Sequence, residues 1–456
     1  MSTPYPYQRK GVKYLNYFNG RALLADDMGL GKTPQILWWL NEDVLDRCPA
    51  LIVCPASLKL NWQREALKHV GMQAQVIEGR HIPKWGKIDK KIVIINYDIL
   101  KDWVDVLKEH NFQTIVFDEC HYLKNRLALR TKTSRSLVKG VPYRIGVSGT
   151  PILNVPAEIW PMLNIIRPDL YTSFWDFASK YCAPTRTHWG WQYKGATHTK
   201  ELNEELLDNL MIRRRKVDVL KQLPNKIRSV VPMDVENRKE YNQALHDFLS
   251  WMARNHSSKL STAMRAERLV KLGYLRRLAA LSKMKYVYEW VDNFLEQDPE
   301  EKIILFGIHK KVIQAIHERY KHISVVVDGS KSTAQRYEAF DAFNKTKTTR
   351  IFVGNIDAAG TGWSASSCPN VGFVELAWKP GLHTQAEDRC HGIGRGVEGV
   401  HTMCYYFIAY DTIEEKLCKI IQSKQEVASS VIDGQSDVEN LNIHDILTEN
   451  LKRGTP

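Results

Sequence analysis

The chain has 456 residues, enough for two or three domains that each bury a core of their own, which excludes a single small binding module. With 44% hydrophobic and 25% charged residues it has the balance of a folding globular chain, and its net charge of +13 suits a polyanionic partner, nucleic acid ahead of an anionic membrane surface. No apolar run reaches the roughly 18 residues of a spanning helix, the first residues lack a secretory profile, and the eight cysteines include no Cys-x-x-Cys pair, so the expectation is a soluble intracellular protein with reduced thiols and no zinc.

Short apolar runs rich in β-branched residues alternate with helical stretches. The first five are 21–25, 51–54, 92–96, 114–117 and 144–148, and a second five are 302–306, 324–327, 350–354, 371–376 and 403–408. Runs this continuous suit parallel strands covered on both faces, so the pattern predicts an α/β chain of two doubly wound domains rather than one extended sheet. Between them lie residues 151–301, mainly helical in pattern. Within that spacer, 254–285 carries nine Lys or Arg against one acid, Glu267, with Leu269, Leu272, Leu275 and Leu278 at helical spacing. The pattern predicts a basic amphipathic helix, which fits a nucleic-acid face and equally a solvated helix face. The polar end, 436–456, is expected to trail off the second domain.

Two segments carry chemistry. From Leu23 to Thr33 an apolar strand passes through a glycine turn into a helical stretch. Backbone N–H groups of such a turn cradle phosphates, Lys32 can reach the β- and γ-phosphates, and Thr33 can ligate Mg²⁺; Asp26 stands where the strict phosphate loop has its first glycine. From Thr114 to His121 a buried strand ends in adjacent carboxylates: Asp118 is placed to hold Mg²⁺ and Glu119 to polarise an attacking water. Together they indicate an NTPase.

The order of motifs resembles that of a superfamily 2 helicase-like ATPase of the SNF2 family along nearly the whole chain. Pro6-Tyr7-Gln8 resembles the family's adenine-reading entrance, and Asp26-Asp27-Met28-Gly29-Leu30-Gly31-Lys32-Thr33 its phosphate loop, with Asp27 in place of Glu. Pro55-Ala56-Ser57-Leu58 with Lys59, Asn61, Trp62 and Glu65 resembles the first DNA-contacting motif, Asp118-Glu119-Cys120-His121 the DExH box, and Ser148-Gly149-Thr150-Pro151 with Asn154 the motif coupling hydrolysis to DNA. The run from Arg213 to Lys226 resembles the bridge into a second lobe. Gly360-Thr361-Gly362 and Gln385-Ala386-Glu387-Asp388-Arg389-Cys390-His391 resemble the motifs that close over nucleotide and DNA from the far side.

This resemblance implies two RecA-like parallel-sheet lobes with helical insertions: lobe 1 over 1–225 with an insert about 152–225, lobe 2 over 226–435 with a basic insert about 236–285, then a tail over 436–456. ATP and Mg²⁺ would lie between the lobes, with Tyr7, Gln8, Asp27 to Thr33, Gly362 and Gln385 on the nucleotide and Thr33 with Asp118 on the metal. Pro55, Ser57, Lys59, Trp62, Thr150, Gly360 and Thr361 would meet DNA, and Arg389 would act as an arginine finger beside Lys32, Asp118 and Glu119. The last motif departs from the family: its second arginine is Gly392, and Arg395 appears three residues later. Either Arg395 reaches back, or Arg389 acts alone, or the enzyme is slow.

Phe177, Tyr181-Cys182, the stretch from Trp189 to Gly195, Glu201-Leu202 and the stretch from Leu376 to Gly381 resemble the annealing-helicase branch of the family and the compact branch-migration helicases of large bacteriophages. Trp189 and Trp191 are expected on DNA, although alternation about Gly190 also fits a small hairpin packed on lobe 1. The implied activity is ATP-dependent translocation on double-stranded DNA that remodels forks and four-way junctions, by a monomer in the cytoplasm of a bacterium or phage-infected cell, or in the nucleus if eukaryotic. Three alternatives stay open: displacement of proteins from DNA, a DExH RNA helicase, and a non-hydrolysing scaffold suggested by Gly392.

Overall fold

The computed structural model describes residues 3–81, 88–188, 190–254, 262–359, 363–392, 397, 399–434, 443 and 445–446. The chain divides into two compact bodies, residues 1–223 with 424–440 and residues 224–423 with 441–456. Both are α/β with parallel sheets. Among the described residues, no helix is long and apolar enough to cross a membrane.

The first body holds β1 (Arg21–Leu24), β2 (Ala50–Cys54), β3 (Ala74–Val76), β4 (Ile92–Asn96), β5 (Thr114–Asp118), β6 (Tyr143–Val147), β7 (Thr185–Thr187), β8 (Gly190–Gln192) and β9 (Met211–Ile212). Seven of these pair in parallel in the order β3-β4-β2-β5-β6-β1-β9, while β7 and β8 form a separate antiparallel hairpin. Every residue of β2, β4 and β5 is buried. Side chains alternate across a strand, so Leu51, Val53, Val93, Ile95, Ile115 and Phe117 enter one core while Ile52, Ile94 and Val116 enter the other. This two-faced burial is why the strands read as unbroken apolar runs. The order β5-β6-β1 also sets the ends of three strands side by side, and the phosphate loop, the paired carboxylates and Ser148 all follow those ends.

The second body holds β10 (Lys226–Met233), β11 (Ile303–Gly307), β12 (Ser324–Val327), β13 (Ile351–Asn355), β14 (Asn370–Phe373) and β15 (Thr402–Ala409), parallel throughout in the order β10-β15-β14-β11-β13-β12. Phe340 stacks on Trp363 at 4.5 Å between ring centroids, inside the core that covers one face. The edge strand β10 is one the apolar pattern misses, because it carries Lys226, Arg228 and Pro232. Its two cations are buried against acids: Arg228 donates to both carboxylate oxygens of Glu387 at 2.7 Å, Lys226 lies 3.4 Å from Glu387 and from Asp388, and Tyr406 donates to Glu387 at 2.9 Å.

Three expectations change. Of the four leucines in the basic stretch, Leu275 is buried with Ala279 against Tyr241, but Leu269 is 69% exposed. Two of its cations are structural: Arg276 donates to the Leu376 carbonyl at 2.5 Å and stands over Trp378, and buried Lys283 pairs with Glu414 at 2.6 Å. Residues 424–434 return to the first body, where Ala428, Val431 and Ile432 complete its core; of the expected tail 436–456 only residues 443, 445 and 446 are described, and fully buried Ile443 packs into the second body. The eight cysteines are buried and unpaired.

The Glu387 cluster makes the second body acid-sensitive. Burial alone raises its pKa, yet Arg228 and Lys226 outweigh that and hold it from 4.5 down to about 2. A depressed carboxylate contributes fully above its ordinary value and loses that contribution as pH falls toward 2. Glu387→Gln should cost about 3–5 kcal/mol in denaturant unfolding at pH 7, because it removes the carboxylate that pairs with buried Arg228 and one of the two acids beside Lys226. The gap from wild type should close as pH drops from 4.5 toward 2.

Candidate active site

The helix Pro6–Tyr17 brings the entrance motif to the phosphate loop. Gln8 accepts from the Tyr5 N–H at 2.9 Å and donates to the Leu30 carbonyl at 3.2 Å, so one side chain caps its own helix and fastens it to the loop. Tyr7 stacks parallel to Tyr5 at 5.9 Å. Its hydroxyl is buried without a hydrogen-bond partner among the described residues, and burial, with Asp26 nearby, pushes its pKa up to about 12. Gly31 turns the chain at φ +71°, where a β-carbon would lie 2.4 Å from Gln8 Nε2. From there the helix Lys32–Glu42 begins, and Thr33 is half-buried in its first turn.

Lys32 donates to the carbonyls of Asp26 at 2.8 Å and Asp27 at 3.2 Å. Burial pulls its pKa down, opposed by Glu119, Asp26, Asp118 and Asp27. The side chains of the two loop acids serve another purpose. Asp26, fully buried, is gripped by Arg214, which donates Nε at 2.9 Å and also bonds through Nη2. Asp27 pairs with Arg213 Nη1 at 2.6 Å and accepts the Lys216 N–H at 2.8 Å. Asp27, expected on the nucleotide, therefore commits its carboxylate to the Arg213–Lys216 segment and offers the loop only its carbonyl.

Asp118 ends β5. Its Oδ2 accepts the Trp62 indole N–H at 2.7 Å and its Oδ1 the Glu119 N–H at 2.9 Å. Burial and the neighbouring Glu119 raise it to about 7. Burial raises Glu119 also, but His121, Lys32 and Ser148 outweigh it and hold Glu119 at about 2. Glu119 accepts the Ser148 hydroxyl at 2.9 Å, lies 3.2 Å from His121 Nδ1, and sits at φ +48°, a strained conformation for a residue with a β-carbon. Ser148 Oγ also accepts the Thr150 N–H at 3.2 Å. A β-carbon on Gly149 would stand 2.6 Å from Met28 Cγ and 3.2 Å from Lys32 Nζ, so this turn closes directly on the loop. Glu158 holds the far side, accepting the N–H groups of Leu153 and Asn154 at 2.9 Å and pairing with Lys124.

One expected DNA contact is corrected here. Trp62 is 1% exposed, packed in the core and bonded to Asp118, so it positions a carboxylate and cannot meet DNA. Pro55 is buried too, whereas Ser57 and Lys59 are half-exposed and Lys59 donates to the Ile77 carbonyl at 3.0 Å. In the second body Gln385 and Arg389 are buried, and Arg389 donates to the carbonyls of Gln385 at 3.1 Å and Trp363 at 2.5 Å. Trp191 is 46% exposed on β8, edge-on to Trp175 at 4.8 Å. Trp189, Gly360, Thr361, Gly362 and Arg395 lie outside the described residues.

Residues 7–284 match the SNF2-related domain and 283–394 the helicase conserved C-terminal domain, and the chain belongs to the SNF2-related family. It is 30% identical to the human "DNA annealing helicase and endonuclease ZRANB3" over 95% of this chain and 40% of that one. It is 34% identical to the Xenopus laevis "SWI/SNF-related matrix-associated actin-dependent regulator of chromatin subfamily A-like protein 1" over 92% of this chain and 43% of that one. The chain thus spans less than half the length of these two relatives.

Trp62→Phe should lower stability by about 1–3 kcal/mol, the cost of leaving a buried carboxyl oxygen without its donor. Duplex DNA affinity, measured by fluorescence anisotropy, should stay unchanged. Weaker DNA binding at an unaltered melting temperature would return Trp62 to the DNA surface.

Proposed function

We propose that this chain is an ATP-dependent translocase on double-stranded DNA whose movement remodels branched DNA. The observation that carries it is the convergence of Lys32, Asp118–Glu119 and Ser148 at the ends of β1, β5 and β6 in a chain of the SNF2-related family. A triphosphate offers Lys32 a stronger acceptor than the two carbonyls it bonds. Two adjacent, buried carboxylates suit a divalent cation, since the burial and the neighbouring Glu119 charge that lift Asp118 to about 7 are both offset by positive charge. Mg²⁺ would be held by Thr33, Asp118 and the phosphates themselves. The ion would neutralise phosphate charge.

Glu119, a carboxylate at neutral pH, is aimed by Ser148 and His121 and orients water for attack on the γ-phosphorus; ADP leaves as the bridging bond breaks. Because Ser148 also holds the Thr150 N–H, a change at Glu119 reaches the Ser148–Asn154 turn, which links hydrolysis to DNA movement. Lys32→Ala should lower DNA-stimulated hydrolysis by about a hundredfold or more. Glu119→Gln should bind ATP normally while losing turnover by about 10²–10⁴. Near-normal turnover by either variant would defeat the ATPase reading, and stimulation by duplex RNA above duplex DNA would favour an RNA helicase.

Preference for branched substrates rests on the β7–β8 hairpin. Trp175 and Trp191, 43% and 46% exposed, pack edge to face, and Arg186 pairs across from Trp191. An exposed aromatic pair suits unpaired bases at a branch point, where each stacked base contributes about 1–3 kcal/mol whatever its sequence. Replacing Trp175 and Trp191 with Ala should spare ATPase stimulation by linear duplex and reduce processing of forked and four-way DNA, at an unchanged melting temperature. Equal loss on all substrates, or a lower melting temperature, would assign the pair to packing.

A further inference from the structure

The first body is completed by chain from far along the sequence. Residues 424–434 belong to it, 424–432 as the last turns of the helix Ile413–Ile432, beyond residue 394 where the family matches end. Asn203 donates through Nδ2 to the carbonyls of Val431 and Ile432, both at 2.9 Å, satisfying groups that a helix end leaves open. Thr199 and Ser430 share a hydrogen bond of 2.6 Å. Gly434 follows at φ +70°, where a β-carbon would stand 2.7 Å from Asn203 Oδ1. The helix end is therefore fixed in register, and what the register delivers is Asp433.

Asp433 Oδ1 lies 2.7 Å from Arg213 Nε, with the carboxylate 8% and the arginine 11% exposed. At its other end Arg213 is 2.6 Å from Asp27 Oδ1 and 2.8 Å from the Ala25 carbonyl. One buried guanidinium thus joins a carboxylate at the helix end to a carboxylate of the phosphate loop. Burial works against its charge, but Asp27 and Asp433 keep it more firmly protonated than a free arginine.

We propose that Asp433 is a positioning residue for the nucleotide: through Arg213 it fixes Asp27, and with it the loop carbonyls that face Lys32. Without Asp433 the guanidinium keeps one carboxylate and loses its orientation, so the loop samples shapes that hold phosphate less well. Linkage runs both ways, so nucleotide in the loop also changes how firmly the helix end docks. The proposal rests on the ATPase reading above.

Asp433→Asn preserves size and removes charge. Its KM for ATP, at saturating DNA, should rise about tenfold while kcat changes little, the scale of one charge-assisted hydrogen bond. Asp433→Glu should recover part of the loss. Asn203→Ala loosens the helix end that delivers Asp433 but leaves the Asp433 carboxylate in place, so it should lower the melting temperature and raise KM by less than Asp433→Asn does. Combining Asp27→Asn with Asp433→Asn should raise KM no further than Asp27→Asn alone, since both act through one guanidinium. A wild-type KM in Asp433→Asn, an equal rise in Asn203→Ala, or additive effects in the double variant would overturn the relay. If the wild-type protein hydrolyses no ATP, the ATPase reading falls instead, and equilibrium binding of ATP to wild type and Asp433→Asn still decides the relay.

Discussion

Two arginines set behind the phosphate loop, Arg213 and Arg214, hold its shape through ion pairs with Asp27 and Asp26 that are largely removed from water. A buried carboxylate is tolerable only when paired and hydrogen-bonded, and the planar guanidinium fork suits it. With both acid side chains drawn backward, the loop's carbonyls turn toward Lys32. The two-residue strand β9 makes this possible: by pairing Leu23 with Met211 and Leu24 with Ile212 it delivers Arg213 and Arg214 to the end of β1. The shortest strand in the sheet therefore carries the ionic support of the site.

The second body solves the same problem with the same division of charge. There the cations sit on the edge strand β10 and the acids on the last motif, where Glu387 is held by Arg228, Lys226 and Tyr406. The segment from Arg213 to Arg228 is thus fastened within each body, by its first cations in one and its last in the other. Its sequence reads as a basic bridge, yet most of its named charges are internal fasteners rather than a surface for polyanions.

The strands and the site at their ends were legible because both follow from a local rule: a strand covered on two faces is apolar throughout, and chemistry gathers where parallel strands end. Lys32, Asp118, Glu119 and Ser148 fall where that rule puts them. Trp62 did not, since its partner Asp118 is 56 positions away and an indole in a polar segment looks the same whether it faces DNA or a buried carboxylate. Strand β10 was hidden by charges that only their distant partners neutralise, and the return of residues 424–434 by an apolar face, Ala428, Val431 and Ile432, that fits a core begun four hundred residues earlier. Each miss is a contact between segments remote in sequence.

Every cysteine is buried, and burial pushes the thiols of Cys54, Cys120, Cys182, Cys390, Cys404 and Cys418 well up from their ordinary value. A protonated, enclosed thiol is a poor nucleophile. The folded chain therefore presents a silent background to maleimides and iodoacetamide, and a single cysteine placed at an exposed position such as Leu45 would take up a dye alone. The native thiols then report the opposite event: each becomes reactive only when the part of the core around it opens, so their separate alkylation rates would map the local stability of the two bodies without any label at all.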